Sequence, residues 1–152
     1  MELAGRILAL DVGKKRIGLA VSDEFRIVGR GLETLERTQT REDLRKLTET
    51  IEEVKATLLL VGKPLHMSGG ESRQSEYTRE FAERLGRQSG RPIVYWDERL
   101  TSREAERILR EEGATRQQQR KSVDRMAALL ILESYLRHLQ DANEKAMRGT
   151  HE

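Results

Sequence analysis

The chain lacks cysteine altogether and contains few aromatic residues. None of its 152 residues is cysteine, which excludes disulfide bonds and thiolate metal sites. Aromatic residues make up 4% of the chain, too few for the base-stacking platform of single-strand-binding proteins. No apolar run approaches the roughly 20 residues that a membrane-spanning helix needs.

A large excess of either charge is also absent. The chain has 28 lysine and arginine residues against 26 aspartate and glutamate residues, which leaves a net charge of +2. A net charge this small does not by itself indicate a polyanionic partner, so the positions of the cations must decide.

The first residues lack the basic segment and cleavable apolar segment of a secretory signal. We therefore expect a cytoplasmic location and no membrane partner.

The length of the chain suits a single domain. A chain of 152 residues can form a core without disulfide or metal support. We expect one domain over 1–152, with its core at about 6–139 and a polar carboxyl-terminal tail at about 140–152.

Short apolar runs near the start predict strands. RILALD and RIGLAV are separated by Gly13-Lys14-Lys15-Arg16, which predicts two strands joined by a hairpin. RIVGRGLETLER predicts a third extended segment. Thr40-Arg41-Glu42-Asp43 then resembles a capping box, and apolar residues follow it at helical spacing.

Helices and strands alternate in the rest of the chain. ATLLLVG (56–62) is typical of a strand buried on both faces of a parallel sheet, and PIVYWDE predicts the last strand. An apolar face between them predicts a second helix, a third is expected over about 101–112, and the final helix is expected to begin at Ser122. This order predicts an α/β fold: a mixed five-stranded sheet, with a three-strand antiparallel meander and then alternating helices and strands, flanked by helices.

Three acidic residues fall at the ends of predicted elements. Asp11 ends the first strand, Glu98 ends the last strand beside Asp97, and Asp124 lies in the first turn of the final helix. Element ends are where α/β folds collect their functional side chains. Each residue also has a local interpretation: Asp11 as a turn residue, Glu98 as a member of a surface ion pair, and Asp124 as an ordinary acidic residue of a first turn.

A divalent cation would explain why these carboxylates are brought together. Carboxylates that share a buried site repel one another, whereas Mg²⁺ or Mn²⁺ prefers oxygen ligands. Two such ions can activate a water and stabilise the leaving oxygen of a phosphodiester. We therefore interpret the three residues as candidate metal ligands and catalytic groups.

Basic residues surround these acidic positions in the sequence. Three cations form the predicted hairpin tip, and the others lie close to Glu98 and Asp124. A polyanionic backbone bound over a metal site requires such an arrangement, although a chain with 28 lysine and arginine residues also has many solvated cations. The candidate substrate-binding residues are Lys14, Lys15, Arg16, Arg99, Arg120, Lys121 and Arg125.

Four segments together resemble a known family. RILALDVGKKRIGLAVSD, VGKPLHMSGG, YWDERLTSREAERIL and KSVDRMAALLILESYL resemble, in this order, the YqgF family of Holliday-junction resolvases or pre-16S rRNA nucleases. The resemblance implies an RNase H-like fold and divalent-metal phosphodiester cleavage, with maturation of the 5′ end of 16S rRNA as the usual role. It also implies that Asp11, Glu98 and Asp124 are the catalytic carboxylates. Many RNase H-like nucleases carry a carboxylate near the strand that here ends LLLVGKP. In this chain either Glu98 takes that role from the neighbouring strand or only one metal is bound tightly.

Several functions remain open at this point. The first is a nuclease that acts on structured RNA, with DNA junctions as the alternative substrate. A nucleotide-binding module is the second, because Asp11, Gly13 and Gly18 also resemble the phosphate hairpin of actin, Hsp70 and sugar kinases. Those proteins need two such lobes to enclose ATP, and 152 residues supply only one, so the length argues against this function. The third is a catalytically weak RNA-binding factor in ribosome biogenesis or transcription. We expect a monomer or a weak homodimer.

Overall fold

Strands and helices alternate along most of the structure. The computed structural model describes residues 5–63, 73–97 and 116–149, and in the last stretch the side chains of 126–147. The elements in these stretches are β1 (Arg6–Val12), β2 (Arg16–Ser22), β3 (Gly29–Gly31), β4 (Leu35–Glu36), α1 (Thr40–Val54), β5 (Ala56–Lys63), α2 (Arg73–Ser89), β6 (Ile93–Asp97) and α3 (Arg116–Gly149). No helix in these stretches is both long and apolar enough to cross a membrane.

The strands form one mixed sheet in the order β3-β2-β1-β5-β6, with β4 paired to the start of β2. β1 and β2 are antiparallel, whereas β5 is parallel to both β1 and β6. The carboxyl ends of β1, β5 and β6 therefore lie at one edge of the sheet. This carboxyl edge comprises Asp11 and Val12 of β1, Lys63 of β5 and Asp97 of β6.

Side-chain alternation along β1 divides the core in two. Leu8 and Leu10 lie in a buried cluster with residues of α1 and α2, while Ile7 and Ala9 lie in a second cluster on the opposite face. The fully or almost fully buried members that α3 contributes to this second cluster are Ala128, Ile131, Leu132 and Leu136. The sheet is thus covered by α1 and α2 on one face and by α3 on the other, which explains why β5 is a continuous apolar run.

Most of the predicted elements are confirmed, but the third strand is divided. Gly31 pairs with Ala20, and Leu35 pairs with Ile17. The three residues 32–34 therefore lie opposite two residues of β2, which makes the segment bulge. β3 and β4 result from this bulge, and within the described stretches the sheet has six strands rather than the predicted five.

The predicted capping box of α1 is wrong. The N-cap residue is Gln39, which makes no side-chain cap hydrogen bond, so Thr40 already lies inside the helix. The Asp43 carboxylate instead accepts a hydrogen bond from the backbone N–H of Thr38, with an N–O distance of 3.1 Å. The helix start is thus stabilised by an acidic side chain that reaches back beyond the cap.

The predicted limits of the final helix are also wrong. α3 begins at Arg116 rather than Ser122, and it continues to Gly149 through most of the segment predicted as a polar tail. Neither glycine nor proline occurs between 116 and 148, so no strong helix breaker interrupts it. The helix predicted over 101–112 lies outside the described residues.

Asp23 closes the turn between β2 and β3. Its Oδ1 accepts hydrogen bonds from the backbone N–H groups of Ile27 and Val28 at 2.7 and 2.9 Å, and its Oδ2 accepts one from Phe25 at 3.0 Å. Burial raises the pKa of the Asp23 carboxyl, whereas the backbone donors lower it. The combined effect of the donors is larger, so the pKa lies below the usual 3.8. The charged form of Asp23 therefore stabilises this turn.

We expect Asp23→Asn to remove an acid-sensitive part of the stability. Because folding lowers the pKa, the stabilisation by Asp23 is complete above its unfolded value of about 3.8 and is lost as the pH falls through the folded value. Urea unfolding between about pH 5 and about pH 2 should show a shallower pH dependence in the variant. Asp141→Asn, at an exposed position of α3, is the control, and equal pH slopes in wild type and Asp23→Asn would contradict the assignment.

Candidate functional site

Asp11 lies on β1 at the carboxyl edge and is partly buried. It pairs with Gly18 of β2 in the antiparallel ladder. By strand alternation it shares a face with Ile7 and Ala9, which pack with residues of α3. A partly buried carboxylate is tolerated after this apolar run because β1 ends here, at the carboxyl edge of the sheet.

β5 presents no side chain beside Asp11. Leu10 pairs with Val61, so the next position of the parallel register places Gly62 beside Asp11. Gly62 in turn pairs with Trp96 of β6. The position of β5 next to Asp11 is thus a glycine, which carries no side chain on the face that α3 covers.

Strand alternation separates Asp97 from Asp11. Trp96 packs in the cluster with α3, whereas Tyr95 packs in the cluster with α1 and α2. Asp97 follows Trp96 and therefore takes the face of Tyr95. Its neighbour in the ladder is Lys63, whose ammonium lies 5.2 Å from the Tyr95 ring centroid. Of the two acidic residues in the DER segment, the sheet thus places Asp97 on the face opposite Asp11.

The other two predicted carboxylates are not described in the same detail. Glu98 and its neighbour Arg99 lie outside the described residues, so their place in the site stays a prediction. Asp124 lies within α3, three and four residues before Ala127 and Ala128, which are both 0% exposed.

The side chain of Asp124 is likewise outside the described residues, as are those of the nearby substrate-binding candidates on α3. The backbone of this part of α3 is helical, but the predicted grouping of Asp124 with Asp11 stays a prediction. Among the side chains that the structure describes, no group of three or more histidine, aspartate or glutamate residues could hold a metal ion. The neighbouring substrate-binding candidates on α3 are Arg120, Lys121 and Arg125.

The turn between β1 and β2 carries three of the predicted cations. Lys14 and Lys15 are exposed, whereas the Arg16 Nε lies 3.3 Å from the Glu36 Oε1 on β4. The Gly13 N–H donates to the Arg16 carbonyl oxygen at 2.9 Å and closes the turn. A Cβ at Gly13 would lie 2.8 Å from that oxygen, so the turn requires glycine. Two lysines are therefore exposed next to the carboxyl edge, while Arg16 forms a surface ion pair.

The sequence interpretation missed Arg37, which lies beneath this turn. Its Nη1 donates to the Gly13 carbonyl oxygen at 3.0 Å, and its backbone N–H donates to the Lys15 carbonyl oxygen at 2.9 Å. Its Nε donates to the Asp43 Oδ2 at 3.1 Å, and the two side chains are 5% and 0% exposed. No local pattern marks Arg37, because a further partner, the Tyr77 hydroxyl, lies 40 residues away.

Removal of the Asp43 charge should destabilise the fold. Asp43→Asn leaves the Arg37 guanidinium buried without its counter-charge, and breaking one partner of a buried ion pair costs about 3–5 kcal/mol. Urea unfolding measures the loss. Glu42→Gln is the matched control in the same helical turn, because Glu42 pairs with Arg45 at the surface and its loss should change little. Equal losses in the two variants would show that the buried pair carries no special weight.

Comparison with known families identifies the chain. A family model described as RuvX, Holliday junction resolvase, matches residues 5–138. The chain belongs to the RuvX family. A relative of this RuvX chain from Koribacter versatilis, named "Putative pre-16S rRNA nuclease", is 47% identical over 132 residues, which cover 87% of this chain and 86% of the relative. A relative of the same name from Agathobacter rectalis is 39% identical, and the match covers 90% of this chain and 98% of the relative.

Solved structures agree with the fold of this RuvX chain. RuvC from Thermus thermophilus has a TM-score of 0.54 at 14% identity, and the match covers 88% of this chain and 96% of RuvC. The Fowlpox virus resolvase, solved with Holliday junction DNA, has a TM-score of 0.55 at 12% identity, and the match covers 88% of this chain and 98% of the resolvase. Identities this low show the fold alone. The predicted RNase H-like α/β fold is confirmed.

Proposed function

We propose that this RuvX chain is a metal-dependent nuclease that hydrolyses phosphodiester bonds of structured nucleic acid, with pre-16S rRNA as its substrate. The observation that carries the proposal is the position of Asp11, a carboxylate at the carboxyl edge, on the face that α3 covers. The relatives named as pre-16S rRNA nucleases match most of the chain and support the choice of RNA. A cytoplasmic location fits this role.

The proposed ligands of the metal are Asp11, Glu98 and Asp124. All three offer carboxylate oxygens, the donors that Mg²⁺ and Mn²⁺ prefer, and the neighbouring position of β5, Gly62, carries no side chain. Glu98 directly follows the last residue of β6 in the sequence, and Asp124 belongs to the helix that packs on the same face as Asp11. When bound, such a cation supplies a nucleophilic water and charge stabilisation for the leaving oxygen.

The proposed contacts to the nucleic-acid backbone come from cations around this edge. Lys14 and Lys15 are exposed on the turn that follows β1, and their ammonium groups suit phosphate oxygens. Arg16 can join them only by exchanging its surface ion pair with Glu36, and such pairs contribute little. The remaining proposed contacts are Arg99, Arg120, Lys121 and Arg125.

A second candidate substrate is a DNA junction. The matching family is described as a Holliday junction resolvase, and a resolvase with this fold was solved with junction DNA. Both substrates place phosphodiesters over the same carboxylates, so the residues proposed above serve either reaction. The two candidates differ in the nucleic acid that is cut.

Asparagine substitutions test the carboxylates. Asp11→Asn and Asp124→Asn should each lower cleavage about 100-fold or more, because a metal's charge stabilisation is worth several kcal/mol and about 1.4 kcal/mol corresponds to tenfold. Cleavage of a 16S precursor leader and of a four-way DNA junction is measured with Mg²⁺ and with Mn²⁺. Asp97→Asn is the matched control on the opposite face of the sheet and should retain most of the activity.

Each other outcome of this experiment has a definite meaning. Cleavage that survives both Asp11→Asn and Asp124→Asn would overturn the metal–carboxylate mechanism. Preferential cleavage of the DNA junction would replace RNA processing by junction resolution. Binding of RNA without cleavage by the wild-type protein would favour the RNA-binding factor.

The basic segment at the start of α3 gives a separate prediction about binding. Arg120→Gln and Lys121→Gln should each weaken binding of the leader RNA and flatten the plot of log affinity against log salt by about one unit per lost phosphate contact. Arg87→Gln is the control, because Arg87 is exposed in the last turn of α2, next to the opposite edge of the sheet. An unchanged slope would mean that these two residues do not contact the substrate.

A further inference from the structure

The turn that presents Lys14 and Lys15 is held from its buried side. The Val12 carbonyl oxygen accepts a hydrogen bond from the Gln74 Nε2 at 3.2 Å. The next carbonyl oxygen, that of Gly13, accepts one from the Arg37 Nη1 at 3.0 Å. The Lys15 carbonyl oxygen accepts one from the Arg37 backbone N–H at 2.9 Å. The carbonyl groups of Val12 and Gly13 are thus bound by side chains and that of Lys15 by a backbone N–H, while both lysine side chains are exposed.

Arg37 is itself held in place by groups on two helices. Asp43 of α1 accepts a hydrogen bond from its Nε, and the Tyr77 hydroxyl of α2 accepts one from its Nη1. The guanidinium carbon lies 5.4 Å from the Tyr77 ring centroid and 4.8 Å from that of Phe81. The ion pair, the hydrogen bonds and the two ring contacts leave the Arg37 side chain, which is 5% exposed, little freedom.

Only arginine can make this set of contacts. The planar guanidinium donates to Asp43 and to Gly13 from different nitrogens and also lies over the Tyr77 and Phe81 rings. A lysine ammonium keeps the charge, but it lacks both the fixed arrangement of N–H donors and the flat surface of the guanidinium. A buried group of this kind adds specificity that a hydrophobic side chain would not supply, because it binds the turn at defined atoms.

We propose that Arg37 is a positioning residue for the binding of the phosphate backbone. Its guanidinium binds the Gly13 carbonyl group, next to the backbone hydrogen bond from its N–H to the Lys15 carbonyl oxygen, and so fixes the turn in the conformation that presents Lys14 and Lys15 beside Asp11. A turn that is ordered before binding does not have to be ordered by the substrate, which strengthens binding. This inference rests on the proposed function, because it concerns the same nucleic-acid substrate.

Arg37→Lys and a matched control separate positioning from general stability. Arg91 makes a similar set of contacts at the opposite edge of the sheet. Its Nε donates to the Ala56 carbonyl oxygen at 2.7 Å, its Nη1 to that of Ser89 at 2.8 Å, and its Nη2 to the Glu52 Oε1 at 3.1 Å. Arg91→Lys therefore loosens backbone contacts without affecting the turn. Tyr77→Phe keeps the ring and removes only the hydroxyl, so it provides a milder loss if Arg37→Lys does not fold.

The readouts are amide hydrogen exchange and binding of the 16S precursor leader. In Arg37→Lys, exchange of the Gly13 amide should be about tenfold faster and RNA binding about tenfold weaker. A factor of ten corresponds to about 1.4 kcal/mol, the size expected for one lost hydrogen bond. Tyr77→Phe should show a smaller effect of the same kind, and Arg91→Lys should show neither. In cleavage assays the change should appear in KM rather than in kcat.

A double-mutant cycle identifies the route of the effect. In a Lys14→Gln, Lys15→Gln background, Arg37→Lys should no longer weaken binding, because the groups that it positions are absent. An equal loss in both backgrounds, or equal binding by Arg37→Lys and Arg91→Lys, would overturn the inference while leaving the nuclease proposal intact. Wild-type protein that binds no nucleic acid would overturn the proposed function and this inference together.

Discussion

The parallel pairing of β5 with β1 and β6 determines the rest of the molecule. Because the three strands run in the same direction, their carboxyl ends meet at one edge, and Asp11 lies there. Parallel strands also need crossover connections, and the helices cover both faces of β5: α1 and α2 pack on one side and α3 on the other. The position of Asp11 on the face that α3 covers follows from the strand direction and from side-chain alternation along β1.

A second layer of polar contacts orders the turn next to this edge. Gly13 permits a tight connection between β1 and β2, but hydrogen bonds within the turn leave several of its carbonyl groups free for other donors. Arg37 supplies such donors from a buried position, and Asp43 compensates its charge. The turn that bears the exposed lysines is therefore connected to both helices on the far face of the sheet, although it lies at the surface.

Local patterns were enough to predict most elements but not their exact limits. The apolar runs and the glycine turn predicted β1, β2, β5 and β6, because buried strands need such runs. They missed the bulge over 32–34, since it depends on how two segments pair with β2 rather than on either segment alone. The Thr40 motif failed for a similar reason: Asp43, its acidic member, is used by Arg37 and Thr38 from outside the helix.

The sequence by itself determined the family, the fold class and the position of Asp11 at a strand end, because each depends on contiguous motifs and on the period of apolar residues. Tertiary structure decided which face each acidic residue takes. Asp97 and Asp11 both end strands, yet strand alternation and the packing of Tyr95 and Trp96 place Asp97 on the other face. It also decided the role of Arg37, because a buried charge is tolerated only where distant residues supply its partners.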